Sequence, residues 1–183
     1  MGYGILHTHT AYSLHDSAMS PEELVLRAKE CGAGSVALTD HGTMLGLDEF
    51  MEAGKKHQVI AVPGIEIYLE NKEHLLLVAV DYSGYQQIAL ALKEANKHQQ
   101  KKGRITFPCL PYTDLEGIFK GSSHVIATTG CIAGPLGCIL LERRRTELSN
   151  EKSAAKVQEL KGNYDNWAVA NSKYMDLVSE EKQ

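Results

Sequence analysis

Short apolar runs alternate with helical patterns along the first two thirds of the chain. The apolar runs predict strands at residues 3–7, 35–39, 59–62, 66–69, 75–80 and 125–129. Helical patterns cover 47–57 and 84–99, and a further helix begins after Ser20, where Pro21 and Glu23 complete a capping box. Because strands that alternate with helices pair in parallel through right-handed crossovers, the pattern predicts an α/β fold, either a barrel or an open sheet.

The pattern changes near residue 142. From there to residue 183 the chain is polar, with sparse apolar positions that predict two helices broken around Gly162. We therefore expect an α/β core over residues 1–141 and a helical tail over residues 142–183 that packs on the core.

Composition narrows the class of protein. The chain has 183 residues, 43% of them hydrophobic, which fits one globular domain. A net charge of -4 argues against a nucleic-acid-binding module without its own chemistry, since such modules carry a basic surplus. The polar N-terminus and the lack of any long apolar run predict a cytoplasmic protein without a membrane segment. None of the four cysteines forms a CxxC pair, so a structural zinc knot is not expected.

Histidines and carboxylates stand at the predicted strand ends. His7 and His9 follow the first apolar run directly, and residues two apart on a strand point to the same side, so both rings can bind one metal ion. Each residue alone also fits a polar strand end, a helix cap or a buried thiol. Five consecutive strands nevertheless carry such a residue at a terminus, and the full set is His7, His9, Asp16, Asp40, His41, Glu66, His74 and Cys131.

These side chains offer imidazole nitrogen, carboxylate oxygen and one thiolate sulfur. That mixture suits zinc, manganese or iron. So many ligands imply more than one divalent ion, and two neighbouring cations need a bridging carboxylate. Glu66 is the natural candidate for that bridge.

The successive segments HTHTAYSLHD, LTDHGTM, GIEIY, HLLLVA and TTGCIAG resemble the motifs of the PHP (polymerase and histidinol phosphatase) superfamily. They occur in the family's order, and they are most similar to the PHP domain at the N-terminus of bacterial DNA polymerase III alpha subunits. The resemblance implies a distorted barrel of the (β/α)7 type with a multinuclear metal site at the carboxyl ends of its strands.

The resemblance also implies a role for each matching residue. His7 and His9 would hold a first ion, which Glu66 would bridge to a second ion held by His74 and Cys131. Asp16 and His41 would hold a third ion. Glu66 and Asp40 are the catalytic candidates, and for Asp40 the role would be to orient a ligand or, equally, to cap a loop. His15, beside Asp16, is either an additional ligand or an exposed residue.

The chain departs from the family pattern after Cys131. The family's closing Asp-x-His pair is absent, so we expect the barrel to be incomplete at its C-terminal end. Three explanations stay open: a natural short form, a fragment completed by other sequence, or a copy that retains ligands without full activity. His57, His98 and His124 match no motif and are expected at the surface.

The expected function is metal-dependent hydrolysis of a phosphoester by activated water, as a phosphodiesterase, phosphatase or 3′-5′ exonuclease. The substrate would be a phosphoester, with DNA and nucleotides among the candidates, and the candidate partners are a replication-type protein and a second copy of the chain. The alternative is a non-catalytic or weakly active structural module derived from the same family, since the Asp-x-His pair is absent.

Overall fold

The computed structural model describes residues 2–14, 16–102 and 105–141. The predicted tail helices at 142–183 and the candidate His15 lie outside these residues. Met1–Cys138 form one compact unit, and the second unit, Ile139–Gln183, is described only over 139–141. Among the described residues, no helix is both long enough and apolar enough to cross a membrane.

Eleven elements follow one another along the compact unit. The strands and helices are β1 (Gly4–Ile5), α1 (Pro21–Glu30), β2 (Ser35–Leu38), α2 (Leu47–His57), β3 (Ile60–Leu69), β4 (His74–Ala79), α3 (Tyr82–Ala95), β5 (Gln99–Lys102), β6 (Ile105–Leu110), α4 (Tyr112–Phe119) and β7 (Val125–Thr128). The α/β class predicted from the sequence is confirmed.

Local signals explain where α1 begins and ends. The Ser20 side chain accepts from the backbone N–H of Glu23, and the Glu23 carboxylate accepts from that of Ser20, so the predicted capping box is present. Gly32 then adopts a φ of +78°, a left-handed conformation that glycine adopts without a steric cost. Both ends of this helix are thus set by residues recognisable in the sequence.

The sheet is mixed, and it is open over the described residues. Its main path runs β1-β2-β3-β4-β7, with β6 paired to β3 and β5 paired to β6. β1, β2 and β3 are parallel, as predicted, but β4 runs antiparallel to β3, and β7 antiparallel to β4. The physical reason is the short connection at residues 70–73, since a parallel crossover needs a dozen residues or more.

Two apolar clusters hold the helices on the sheet. In the first, α1 and α2 pack on β2 through buried residues that include Val25, Val36 and Phe50. In the second, α3 packs on β3 and β4 through residues that include Ile67, Leu77 and Ile88. Ala61 of β3 also packs against the first cluster, so both clusters fix the strand that carries Glu66.

Candidate metal centre

All seven predicted metal ligands meet at one edge of the sheet. The loops after β1 and β2 leave this edge, since both strands are parallel, and Glu66 lies near the carboxyl end of β3. His74 begins β4, and Cys131 follows β7. Together they line a cleft of about 430 Å³, and its lining residues are His7, His9, Asp16, His41, Glu66, His74 and Cys131.

Glu66 is the centre of the cluster, and its side chain is only 1% exposed. Its Oε2 lies 2.9 Å from His7 Nε2 and 3.0 Å from His9 Nε2. Its Oε1 lies 3.0 Å from His74 Nδ1. One buried carboxylate is therefore shared by three imidazoles, two from the loop after β1 and one from the start of β4.

His41 joins this centre to Asp16. Its Nε2 lies 2.6 Å from Asp16 Oδ2, and its Nδ1 lies 3.6 Å from Glu66 Oε2. A parallel bridge pairs His41 with Glu66, and Gly42 turns the chain just afterwards with a φ of +59°. His41 Nδ1 is buried and has no hydrogen-bond partner in the described part of the chain. A buried ring nitrogen without a partner is costly unless something else satisfies it.

Cys131 contacts Glu66 Oε1, whereas His7 and His9 contact Oε2, and Cys131 is exposed. Its Sγ lies 3.7 Å from Glu66 Oε1. The loop that carries it is tied to β4, because the backbone N–H of His74 donates to Ala133 O over 2.8 Å. The sulfur therefore faces the same carboxylate oxygen as His74.

Burial and close contacts shift the pKa values of Glu66, His9 and His41. Burial opposes ionisation of Glu66, but hydrogen bonds from His74, His9 and His7 hold its pKa far below the usual value. For His9, burial also opposes the charged form, yet the contact with Glu66 raises the pKa of the ring. For His41, burial dominates and lowers the pKa, and the nearby His9 and His74 rings act in the same direction.

The donor atoms fit divalent metal ions. Atoms bound to one zinc ion at about 2.0–2.2 Å must lie within about 4.4 Å of one another, and the contacts around Glu66 satisfy that limit. Three overlapping groups have all ligand atoms within 4.8 Å: His7, His9 and Glu66; His9, Asp16 and His41; His41, Glu66 and His74. The unpartnered His41 Nδ1 adds a second argument for a cation at this site.

Asp40 lies behind the cleft rather than in its lining. It is fully buried, and its carboxylate accepts from Thr10 N–H over 2.7 Å, from the Thr10 hydroxyl over 2.6 Å and from the Ser13 hydroxyl over 2.9 Å. These contacts fix the loop that carries His9 and Asp16. Asp40 thus contacts this loop through Thr10 and Ser13 and does not itself line the cleft.

Two residues of the site were missed from the sequence. Tyr68 stacks on His41 with ring centroids 5.5 Å apart and meets the His74 ring edge-on at 4.8 Å. Burial and the charge of Glu66 raise the pKa of its phenol. Strand alternation could have found it, because it lies two residues after Glu66. Ser13 was also missed, and loop spacing gives no comparable signal.

The three histidines outside the motifs lie away from the cleft. His98 is exposed and pairs with Asp114, and the partly exposed His124 pairs with Asp81, as expected for surface residues. His57 is half-buried and lies 2.7 Å from Glu22.

The chain is similar in sequence to a known protein family and to bacterial DNA polymerases. The family model described as "PHP domain" matches residues 6–179. The DNA polymerase III subunit alpha of Borreliella burgdorferi is 32% identical over 80% of this chain, and that of Treponema pallidum is 30% identical over 92%. An error-prone DNA polymerase of Cutibacterium acnes is 33% identical over 72%. This chain spans only 13%, 15% and 12% of those three proteins, respectively.

Among solved structures, an amidohydrolase from Chromobacterium violaceum is similar to 51% of this chain, and the match covers 33% of that protein. The sequence identity is 27% and the TM-score is 0.43.

Proposed function

Because the chain belongs to the PHP domain family, we propose that it is a metal-dependent phosphoesterase whose cleft binds two or three divalent ions. The observation that carries the proposal is the convergence of His7, His9, His41 and His74 on the buried Glu66 carboxylate. A cluster of imidazoles around one acidic group has few uses other than binding cations. Zinc, manganese and iron all suit this set of nitrogen and oxygen donors.

The ions would supply Lewis acidity to the phosphoryl oxygens and would lower the pKa of water. The residues of the chain distribute the ligands among these ions. His7 and His9 would serve the first ion, His74 and Cys131 the second, and Asp16 and His41 the third. Glu66 would bridge, since each of its oxygens faces a different histidine.

The substrate would be a phosphodiester or phosphomonoester, with DNA or a nucleotide favoured by the kinship with bacterial DNA polymerases. Under this proposal the activity is of the phosphodiesterase, phosphatase or 3′-5′ exonuclease type. A replication-type protein is a candidate partner on the same grounds.

A second candidate function rests on the missing Asp-x-His pair. Without it, the domain would be non-catalytic or weakly active, and it would act as a structural or interaction module. The two candidates differ in one measurable property, which is turnover by the metal-loaded protein.

The test is hydrolysis of bis(4-nitrophenyl) phosphate and of an end-labelled single-stranded oligonucleotide, with zinc, manganese or iron added in turn. The proposal predicts turnover with at least one metal and its loss in Glu66→Gln. A Glu22→Gln variant is the matched control, since Glu22 pairs with Lys56 and His57 and does not line the cleft. Metal-loaded protein without turnover on either substrate would contradict phosphoesterase activity and favour the structural module.

A further inference from the structure

Ser13 links the buried Asp40 to two candidate ligands. Its side chain is buried, with the residue 1% exposed. Its hydroxyl donates to Asp40 Oδ1 over 2.9 Å, and its oxygen lies 3.0 Å from His9 Nδ1 and 2.9 Å from the backbone nitrogen of His41. One hydroxyl therefore contacts groups from the loops after both β1 and β2.

The three contacts of this hydroxyl determine which nitrogen of His9 carries a proton. A serine hydroxyl has one proton and two lone pairs, and a carboxylate only accepts. The single proton goes to Asp40, and the His41 N–H can only donate into one lone pair. The remaining lone pair accepts a hydrogen bond, so His9 Nδ1 is the protonated nitrogen in this contact.

We propose that Ser13 is a positioning residue for metal binding, which holds His9 with its Nδ1 protonated and its Nε2 directed into the cleft. This inference rests on the proposed function in taking the cluster to be a metal site. His9 Nε2 lies 3.0 Å from Glu66 Oε2 and 3.1 Å from His7 Nε2, where an ion would be shared. The hydrogen bond at one ring nitrogen sets which nitrogen is free to bind metal.

Asp40 fixes the direction of the Ser13 hydroxyl. Thr10 contacts both oxygens of its carboxylate, so the carboxylate cannot turn away from Ser13. Because Ser13 also accepts from the His41 backbone, the same oxygen sets the distance between the His9 and His41 loops. The rings of His9 and His41 are stacked, with centroids 4.6 Å apart, which fits two loops held in register.

The test is zinc affinity, measured by competition with a chelator of known affinity. Ser13→Ala is expected to weaken zinc binding by about 10–100-fold, the usual loss when the hydrogen-bond partner of a metal ligand is removed. Ser13→Thr keeps the hydroxyl and should restore most of the affinity. Thr39→Val is the matched control: Thr39 also bridges these two segments through a buried hydroxyl, but it contacts only the backbone of Thr8.

Nitrogen-15 spectra of the histidine rings give a second readout that does not depend on Ser13→Ala folding. In the zinc-loaded unsubstituted protein, His9 should bind zinc through Nε2 and show a slowly exchanging Nδ1 proton. Zinc on Nδ1 of His9, or a Ser13→Ala affinity equal to that of the unsubstituted protein, would overturn the inference.

These outcomes separate the inference from the proposed function. Zinc binding that weakens in Ser13→Ala, without hydrolysis by any form, would support the role of Ser13 and defeat the phosphoesterase proposal. Hydrolysis together with unchanged zinc affinity in Ser13→Ala would do the reverse. An unsubstituted protein that binds none of zinc, manganese and iron would overturn both.

Discussion

The two sides of the metal centre are built in different ways. The β1–β2 side comprises the loops after β1 and β2. Its candidate ligands are supported by hydrogen bonds among the buried residues Thr10, Ser13 and Asp40. On the β4–β7 side, which comprises His74 and Cys131, the thiol is exposed and lies 3.7 Å from Glu66. The first side is organised by its own hydrogen bonds before any ion binds. The second side is positioned by strand pairing and by the backbone hydrogen bond from His74 N–H to Ala133 O.

Glu66 belongs to both sides, so its substitution should have the largest effect. Glu66→Gln keeps the size of the side chain but removes the charge that three histidines contact. We expect zinc affinity to fall by more than about 100-fold, beyond the range for residues that only support a ligand. Chelator competition measures this, with circular dichroism as the check on folding. An affinity within about threefold of the unsubstituted protein would show that Glu66 is not shared between ions.

Asp40→Ala should have the second-largest effect, because it destabilises the β1–β2 side. It leaves the Thr10 N–H, the Thr10 hydroxyl and the Ser13 hydroxyl without their buried acceptor, at a cost of about 3 kcal/mol or more in the free energy of unfolding. Urea unfolding of metal-free protein measures it. Asp81→Ala is the control, since Asp81 is an exposed cap of α3 whose loss costs about 1 kcal/mol. Equal losses in the two variants would refute a preorganised β1–β2 side.

Acid should act on the shared carboxylate with a smaller effect. The folded pKa of Glu66 is depressed below its usual value near 4.5, so its stabilising contribution is present above that pH and is lost as the pH falls further. Metal-free protein should therefore lose stability between about pH 5 and pH 3. Urea midpoints across this range should fall more steeply for the unsubstituted protein than for Glu66→Gln. Parallel curves would indicate that the histidine contacts do not stabilise ionised Glu66.

Cys131→Ser should have the smallest effect and should be confined to the β4–β7 side. Because Cys131 is exposed, we expect the free energy of unfolding to change by less than about 0.5 kcal/mol. Zinc affinity should fall roughly tenfold, whereas manganese, which prefers oxygen ligands, should bind almost unchanged. Equal losses for both metals would indicate that the thiolate is not a ligand.

The same comparison shows what the sequence could reveal. On the β1–β2 side, apolar runs followed by His7, His9 and His41 indicated strand ends, and parallel pairing brings such ends to one edge. The capping box at Ser20 and the helix at Leu47–His57 were likewise readable from local signals. These features depend on short-range patterns, which the sequence states directly.

The position of His74 depends on a strand direction that the apolar pattern does not reveal. It stands at the start of its strand, and in an all-parallel sheet this position would place it at the edge opposite His7, His9 and His41. Because β4 runs antiparallel to β3, His74 lies instead at the same edge as Glu66, and it is paired in register with Tyr68. Pairing direction depends on how the chain closes on itself, and apolar periodicity does not encode it.

The hairpin of β5 and β6 was not predicted, and its composition explains why. β5 is Gln-Gln-Lys-Lys, without an apolar alternation, and β6 contains Pro108, which weakens any strand prediction. Its place is set by tertiary contacts, since β6 pairs with β3 at Tyr68 and Leu69. Ser13 was missed for a related reason, because only the folded loop brings its hydroxyl to His9 and Asp40.

Metal content per chain tests the central claim most directly. Plasma mass spectrometry of protein purified without added metal or an affinity tag should find two or three equivalents of zinc, manganese or iron, and Glu66→Gln prepared alongside should contain far less. Below about a tenth of an equivalent in the unsubstituted protein, even after incubation with those metals, the cluster around Glu66 would not be a metal centre.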